Sequence, residues 1–156
     1  CKIELLRSNL CIDNNFINVT DFGAGSNINK KKKRKIMDIA KNSSKNKRFG
    51  ELLYRIVKHF KPQEIFELGT SFGISTLYLS KANLKSNITT FEGCEESAKI
   101  ALENFKKLDC ANIDTIVGEF GETFSKKLAE KNKVNMVFID GNHSEKATIE
   151  YFDESN

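Results

Sequence analysis

The sequence predicts an α/β protein, a three-layer sandwich in which a mainly parallel sheet has helices on both faces. Two observations predict this class. Short runs rich in β-branched and aromatic residues alternate with segments whose apolar residues recur at helical spacing. Successive strands separated by helices are joined by right-handed crossovers and therefore run parallel. We expect about four core strands, after which the sheet is truncated.

The first predicted elements follow one another around the single proline. Apolar residues recur every three or four positions from Phe49 to Phe60, which indicates a helix with one buried face. Pro62 disfavours helix at the residue before it, so this helix is expected to end near Lys61. The next run, Glu64 to Leu68, is typical of a strand.

The same alternation continues to the end of the chain. The further strands are expected at residues 87–92, 113–117 and 134–139. Helices are expected from residue 74, at residues 95–108 and from Ser144 onward. A further helix is marked by Phe124 and Leu128 and is expected to end near Asn132. The last strand is a nearly continuous apolar run, which predicts that both of its faces are covered.

Composition excludes several classes of protein. The 156 residues are 39% apolar and 29% charged, the balance of one globular domain. No run approaches the ~18 apolar residues of a membrane span, and the first twenty residues lack the apolar centre of a signal peptide. We therefore expect a cytoplasmic protein without a membrane partner. The four cysteines have no zinc-binding or CxxC spacing and are interpreted as reduced thiols.

Positive charge is concentrated at the N-terminus. Residues 1–50 contain 12 Lys and Arg against 4 acids, and residues 51–156 contain 13 against 17. The centre of this charge is the run from Lys30 to Lys35, which is suited to nucleic acid or an anionic substrate. The alternative is a solvated first turn or mobile loop. We favour the solvated turn or loop, because no aromatic residues are interleaved with the lysines to stack on bases. Nucleic acid is therefore not an expected partner.

The chain is divided into a basic lead-in segment, residues 1–46, and a core, residues 47–156. Within the lead-in, Asp21 to Ser26 resembles a glycine-rich cofactor loop after the strand-like run Ile17 to Thr20. The six basic residues that soon follow are unlike the packed face of a helix in a βα unit. We interpret this segment as a turn or as a cover over the active site.

Each predicted core strand ends beside an acid and a glycine. In open parallel sheets, ligands bind beyond the carboxyl ends of the strands. The residues at these ends are Glu67 and Gly69, Glu92 and Gly93, Gly118 with Glu119 and Phe120, and Asp140 with Gly141. The sequence therefore predicts a ligand site at this edge.

The glycine loop after the first core strand reads GxxxG and not the dinucleotide pattern GxGxxG. Gly69 and Gly73 permit a sharp turn and close approach to a ligand. Ser75 either offers its hydroxyl to a ligand or satisfies the first helical turn. Glu67 at the strand end needs a partner, such as backbone amides or a cationic ligand, to offset its burial.

Glu92 ends the second core strand, 23 positions after Gly69, where an acid commonly accepts hydrogen bonds from ribose hydroxyls. The alternative is an ordinary exposed acid near a helix N-terminus. Together with the glycine loop, the ribose interpretation is favoured.

Three motifs, ELGTSFG, ITTFEG and VFID, occur in order within residues 47–153. This stretch resembles class I S-adenosylmethionine-dependent methyltransferases, which have a Rossmann-like fold, and especially the O-methyltransferase group of the catechol and caffeoyl-CoA enzymes. The resemblance implies methyl transfer from S-adenosylmethionine to an oxygen of a small molecule.

The resemblance also implies roles for individual residues. The cofactor-binding set would be Glu67, Gly69, Ser71, Gly73, Ser75, Glu92, Gly93, Gly118, Glu119, Phe120 and Asp140. Asp140 would lie below the sulfonium and, in metal-dependent members, would bind Mg²⁺. His143 lies where a basic residue is expected and is a candidate catalytic base with Asp140; the alternative is a surface residue or helix cap.

The chain departs from this pattern in having no fifth strand with its acidic pair, which places Mg²⁺ binding in doubt. We expect that the native protein continues beyond Asn156 and that this chain is a fragment. An uncovered strand edge would favour homo-oligomers. Two other functions stay open: a nucleic-acid methyltransferase that uses the basic segment, and a non-catalytic nucleotide- or partner-binding domain.

Overall fold

The computed structural model describes residues 1–20, 32–131, 133–141, 149 and 151–153. The helices it defines are α1 (Lys2–Leu10), α2 (Ile36–Ser43), α3 (Lys47–Phe60), α4 (Ile74–Ala82), α5 (Glu95–Lys107) and α6 (Phe120–Ala129). The strands are β1 (Phe16–Val19), β2 (Lys32–Lys35), β3 (Glu64–Leu68), β4 (Asn87–Glu92), β5 (Ile113–Val117) and β6 (Met136–Ile139).

The central sheet has the order β5-β4-β3-β6, and all of its pairings are parallel. The chain moves outward from β3 through β4 to β5 and then returns to the other side of β3. Leu68 pairs with Phe91 on one side and with Ile139 on the other, so the three strands end at the same level. The predicted Rossmann-like α/β fold is confirmed. The strand order reverses between β3 and β6, and such a switch point is where ligands bind.

Side chains alternate between the two faces of the sheet and form two separate clusters. On one face Phe66, Phe91 and Phe124 meet edge to face, with ring centroids 5.5 to 6.1 Å apart. On the other face Ile65 and Ile88 pack with residues of α3 and α4. Helices therefore cover both faces, as predicted.

Helix α3 is bounded by local signals on both sides. The Asn46 side chain accepts a hydrogen bond from the Phe49 amide at 3.0 Å, which caps the first turn. Lys61 adopts a left-handed conformation with φ of 48°, and Pro62 follows. The predicted end of this helix near Lys61 is confirmed, and the cap places its start two residues before Phe49.

Two elements in the last part of the core are shorter than predicted. Helix α6 ends at Ala129 and not near Asn132, because the connection to β6 is already anchored by Asn135, whose side chain accepts from the Glu64 amide at 3.0 Å. Strand β6 begins at Met136, and its residues are half-buried where both faces were expected to be covered. The physical reason is its position: in the part of the chain that the structure describes, β6 pairs only with β3 and lies at the sheet edge.

The basic run was predicted to be a solvated turn or mobile loop, and for residues 32–35 this prediction was wrong. They form β2, which pairs antiparallel with β1. Lys33 and Lys35 extend over the Phe16 ring, with Nζ 5.8 and 5.7 Å from its centroid. Strand pairing satisfies the backbone while the charged ends stay largely exposed.

The N-terminal segment packs on α4 and α5. Tyr78 donates its hydroxyl to Glu4 at 2.9 Å. Asn18 donates both its backbone amide and its side-chain amide to the Glu96 carboxylate, at 2.7 and 2.8 Å. Residues Ile3, Leu10, Ile17, Ile36 and Ala40 are buried in one cluster with Phe72, Ile74, Leu77, Tyr78, Ala101 and Phe105. The division at residue 46 stays a prediction.

All four cysteines lie within the described residues and are free. None of the helices within the described ranges has the length and apolar character needed to cross a membrane. The cofactor-like loop from Asp21 to Ser26 lies outside the described residues.

Candidate cofactor-binding site

A cavity of about 490 Å³ opens at the carboxyl ends of the sheet strands. The loops after β3, β4, β5 and β6 form one side of it. The N-terminal segment forms another side, with residues Val19, Thr20, Arg34, Ile39, Asn42, Ser43, Ser44 and Lys45. The cavity thus lies at the switch point and is enclosed in part by a segment that precedes the sheet in the chain.

The loop after β3 is held in a conformation that needs glycine. Gly69 has φ of +102°, and a Cβ placed on it would lie 2.8 Å from the carbonyl carbon and oxygen of Asp140. The amides of Gly69 and Thr70 both donate to the Phe91 carbonyl, at 3.0 and 3.1 Å. The loop therefore touches the backbone that follows β6 and is hydrogen-bonded to the end of β4.

Gly73 supports the loop from beneath and does not line the cavity. It caps α4 with φ of +81°, and a Cβ there would overlap the ring of Phe105 on α5. Asn104 donates its side-chain amide to the Phe72 carbonyl at 2.9 Å. Ser71 and Ser75, by contrast, both line the cavity.

Glu92 lies at the cavity wall with its carboxylate held by backbone amides. One oxygen accepts from the Ser71 amide at 2.7 Å and the other from the Cys94 amide at 2.8 Å. Burial raises the pKa of this carboxyl, and the amide hydrogen bonds oppose that rise. The Gly93 amide also acts on this carboxylate. Because a carboxylate has about four lone-pair sites, Glu92 keeps capacity for a ligand hydroxyl.

Glu67 lies beneath the loop and is fully buried. Its Oε2 atom accepts from the hydroxyls of Thr76 at 2.5 Å and Thr90 at 2.8 Å. Its Oε1 atom has no hydrogen-bond partner among the described residues. Desolvation raises the pKa of Glu67 to about 7, and the negative charge of Asp140 adds to the rise.

The loop after β5 closes the opposite side. The Gly118 amide donates to the Glu92 carbonyl at 3.0 Å, and Gly118 has φ of +153°. The Glu119 side chain is used as the cap of α6, accepting from the Glu122 amide at 3.1 Å. Phe120 lies against Gly141, where a side chain would overlap its ring. This places an aromatic ring between the loops after β5 and β6.

Asp140 follows β6 and forms an ion pair with Lys45. The distance from Nζ of Lys45 to Oδ1 of Asp140 is 2.6 Å, and both side chains are largely withdrawn from solvent. Lys45 lies between α2 and α3, 95 positions earlier in the chain. The sequence analysis missed this residue, because no local pattern connects a loop lysine to the end of a distant strand.

The predicted cofactor residues are brought together, with two exceptions in their placement. Glu67 and Gly73 lie behind the wall, and the others line the cavity: Gly69, Ser71, Ser75, Glu92, Gly93, Gly118, Glu119, Phe120 and Asp140. Their roles stay predictions. His143 lies outside the described residues.

The residues described fit a nucleoside ligand better than a metal ion. No group of three or more His, Cys, Asp or Glu side chains with metal-binding geometry occurs in the described part of the chain. The Asp140 carboxylate already has a cationic partner in Lys45. The described residues therefore do not by themselves form a Mg²⁺ site, and binding of Mg²⁺ at Asp140 stays a prediction.

The fold and site define a class: an α/β domain whose cavity lies at the strand ends, with a glycine loop and an acid at the second strand end. The methyltransferase domain family matches residues 66–155, more than half of the chain. The chain belongs to this family, which confirms the resemblance given by its motifs. No curated protein sequence is similar enough to count as a match.

Solved structures share the fold. An O-methyltransferase of tomaymycin synthesis from Streptomyces achromogenes, in complex with S-adenosylmethionine, aligns with a TM-score of 0.66 and 23% identity over 73% of this chain and 52% of its own. The SAH-bound methyltransferase PaMTH1 of Podospora anserina aligns with a TM-score of 0.66 and 19% identity, over 73% of this chain and 49% of its own. The O-methyltransferase of Bacillus cereus in complex with SAH has a TM-score of 0.66 and 20% identity, over 73% of this chain and 52% of its own. The chain thus spans about half the length of these structures.

Proposed function

We propose that this chain binds S-adenosylmethionine and forms the donor half of a methyltransferase that acts on an oxygen of a small molecule. The observation that carries the proposal is the pairing of Glu92 with the glycine loop. The Ser71 amide fixes one carboxylate oxygen of Glu92 at 2.7 Å, and both residues face the same cavity. Membership of the methyltransferase family supports this assignment.

The cavity offers a suitable group for each part of the cofactor. Glu92 is placed to accept hydrogen bonds from the two ribose hydroxyls. The backbone of Gly69 allows the methionine part to approach closely because no side chain intervenes. The ring of Phe120 offers an apolar surface to the adenine. Glu67, with one unpaired oxygen below the loop, gives the cationic cofactor a favourable electrostatic environment.

The bound cofactor supplies an electrophilic methyl group on a sulfonium, which is a good leaving group. The chain's own task is then to align the acceptor oxygen with that methyl and to exclude water. Asp140 lies at the end of β6 beside the glycine loop, and this contact supports a role for its carboxylate near the sulfonium. His143 remains a candidate base for the acceptor proton.

Four finer assignments concern this proposal. The oxygen specificity is supported by the O-methyltransferases of similar fold. A cytoplasmic location and assembly into homo-oligomers stay predictions. Dependence on Mg²⁺ has no support from the described residues, since the Asp140 carboxylate is paired with Lys45.

The ribose assignment predicts that Glu92→Ala weakens binding of S-adenosylhomocysteine by about 1 to 3 kcal/mol, the scale of hydrogen bonds to a charged group. Isothermal calorimetry measures the loss. Because Glu92 also anchors two amides, circular dichroism must show that the variant is folded. Glu95→Ala is the matched control: it removes an exposed acid three positions later, which forms an ion pair with Lys99 at 2.8 Å, and should leave affinity unchanged. Equal affinity of wild type and a folded Glu92→Ala would remove Glu92 from the site, and no binding by the folded wild type would refute the proposed function.

The alternative function, methylation of a nucleic acid, predicts that the exposed basic strand β2 binds RNA or DNA. If its four basic residues gripped phosphates, binding of RNA or DNA would be tight and would weaken steeply with salt. We expect only weak, non-specific binding, with dissociation constants on the order of 10⁻⁴ to 10⁻⁶ M. Fluorescence anisotropy with labelled oligonucleotides over a salt series measures this. A submicromolar, salt-sensitive complex at physiological ionic strength would favour the nucleic-acid alternative.

A further inference from the structure

The two-stranded sheet of β1 and β2 places its basic residues on opposite faces. In the antiparallel register Arg34 faces Ile17, and Lys33 faces Asn18. Directly facing side chains of such a pair point to the same side, and successive residues alternate between the two sides. Ile17 is buried in the cluster beneath the sheet, with 8% of its surface exposed. Arg34 therefore lies on the face that is turned toward the rest of the domain.

The neighbours Lys33 and Lys35 lie on the other face. Their Nζ atoms are 5.8 and 5.7 Å from the centroid of the Phe16 ring, which is itself 53% exposed. Of the four basic residues of β2, Arg34 is the one that lines the cavity. The alternation of the strand thus directs one basic side chain to the ligand cavity and keeps its two neighbours outside.

The backbone of this two-stranded sheet is fixed against the loop after β4. Asn18 donates its backbone and side-chain amides to the Glu96 carboxylate on α5, at 2.7 and 2.8 Å. Sγ of Cys94 donates to the Asn18 carbonyl at 3.5 Å, and Cys94 also lines the cavity. The Arg34 side chain is therefore carried by a strand that is held in place by residues far away in the chain.

The guanidinium of Arg34 has no carboxylate partner among the described residues, although it lines a cavity. The other basic residue of the cavity wall, Lys45, forms an ion pair with Asp140 at 2.6 Å. A guanidinium offers five N–H donors in a planar fork, which matches two oxygens of a carboxylate or a phosphate. The cavity thus contains a cationic group that is suited to an oxyanion.

The position of Arg34 separates it from the proposed point of methyl transfer. In the proposed binding mode the methionine part of the cofactor lies at Gly69, whose loop touches Asp140 after β6. The sheet that carries Arg34 is attached instead to α5 and to the loop after β4, which lies on the opposite side of β3 from β6. An anion held by Arg34 is therefore a different group from the oxygen that receives the methyl.

We propose that Arg34 binds a remote oxyanion of the methyl acceptor, a carboxylate or a phosphate, so that the preferred acceptors carry a hydroxyl and a second, anionic group. This inference rests on the proposed methyltransferase function. A contact away from the reacting oxygen fixes the orientation of the acceptor, and orientation is the main task of the protein when the leaving group is already good. The N-terminal segment, which carries Arg34, then selects the acceptor.

The test measures the binding of small probes to protein that is saturated with S-adenosylhomocysteine. The probes are benzoate, phenyl phosphate and the uncharged benzamide, and NMR titrations at constant ionic strength give their dissociation constants. The wild type should bind at least one of the two anions about tenfold more tightly than benzamide, the scale of a hydrogen bond to a charged group. The tighter anion identifies whether the bound group is a carboxylate or a phosphate. Arg34→Met should remove the preference for anions and keep the affinity for S-adenosylhomocysteine.

Two further variants separate a specific site from a general effect of charge. Lys33→Met removes the same charge from the neighbouring position on the outer face and should keep the preference. Arg34→Lys keeps the charge without the planar fork and should keep only part of it.

Equal binding of the anions and benzamide by the wild type, or an equal loss of preference in Lys33→Met, would overturn the inference while leaving cofactor binding intact. Tenfold weaker binding of S-adenosylhomocysteine by a folded Arg34→Met would also overturn it, because Arg34 would then hold the carboxylate of the cofactor. Failure of the wild type to bind S-adenosylhomocysteine would instead overturn the proposed function.

Discussion

Gly69→Ala is expected to lower the free energy of unfolding by about 2 to 4 kcal/mol, through backbone strain and overlap together. The alanine would have to adopt φ of +102°, and its Cβ would lie 2.8 Å from Asp140 and from the Gly141 amide nitrogen. All of these neighbours are backbone atoms, so no side chain can rotate away. The loops after β3 and β6 would be forced apart where the cavity lies.

Urea denaturation measures the loss of stability, and calorimetry with S-adenosylhomocysteine measures the effect on the cavity. Gly121→Ala is the control, because Gly121 lies within α6 and its nearest neighbour would be a side-chain atom, Oε2 of the capping Glu119 at 3.0 Å, which has to move by only a few tenths of an ångström. That variant should be as stable as wild type or more stable by about 1 kcal/mol, the helix preference of alanine over glycine. Equal stability of the two variants would show that the contact between the loops is not rigid.

Glu67→Gln is expected to stabilise the cofactor-free protein above pH 7 and to have little effect near pH 4.5. In the folded state the pKa of Glu67 is raised to about 7 by burial, from an ordinary value of 4.5. A raised pKa means that the folded protein holds this proton more tightly than the unfolded chain. The stability that the protonated Glu67 contributes to the folded state is therefore fully present below pH 4.5 and is lost as the pH rises through 7.

The difference of the two pKa values corresponds to about 3 kcal/mol, which Glu67→Gln should recover at pH 8. Chemical denaturation of both proteins at a series of pH values measures it. Glu64→Gln is the control: burial acts to raise the pKa of Glu64, but the bonds from Lys131 and Asn87 outweigh it and the pKa is lowered. The stability that the charged Glu64 contributes is lost only as the pH falls. The difference in free energy of unfolding between Glu64→Gln and wild type should therefore be the same at pH 6 and at pH 8. A pH-independent effect of Glu67→Gln in the same range would contradict the raised pKa.

Local patterns were sufficient for the core elements. The strands from β3 to β6 and the helices between them were predicted because their apolar residues recur with clear periods over whole elements. The N-terminal elements were not predicted beyond the strand-like run at β1. Helices α1 and α2 are short, and short helices are stabilised mainly by the tertiary contacts of their buried faces, here with Tyr78 and its neighbours.

The sequence by itself determined that acids and glycines stand at the strand ends and that these ends share one edge of the sheet. It also predicted that Glu92 lies near the glycine loop, because consecutive strands of a sheet are usually neighbours and parallel strands end at the same edge. The tertiary structure alone decided that Asp140 lies next to Gly69, that Glu67 is fully buried, and that Lys45 reaches the site. These facts depend on strand order and on contacts between residues far apart in the chain. A local pattern carries no information on such contacts, since their energy arises only when the separate elements pack together.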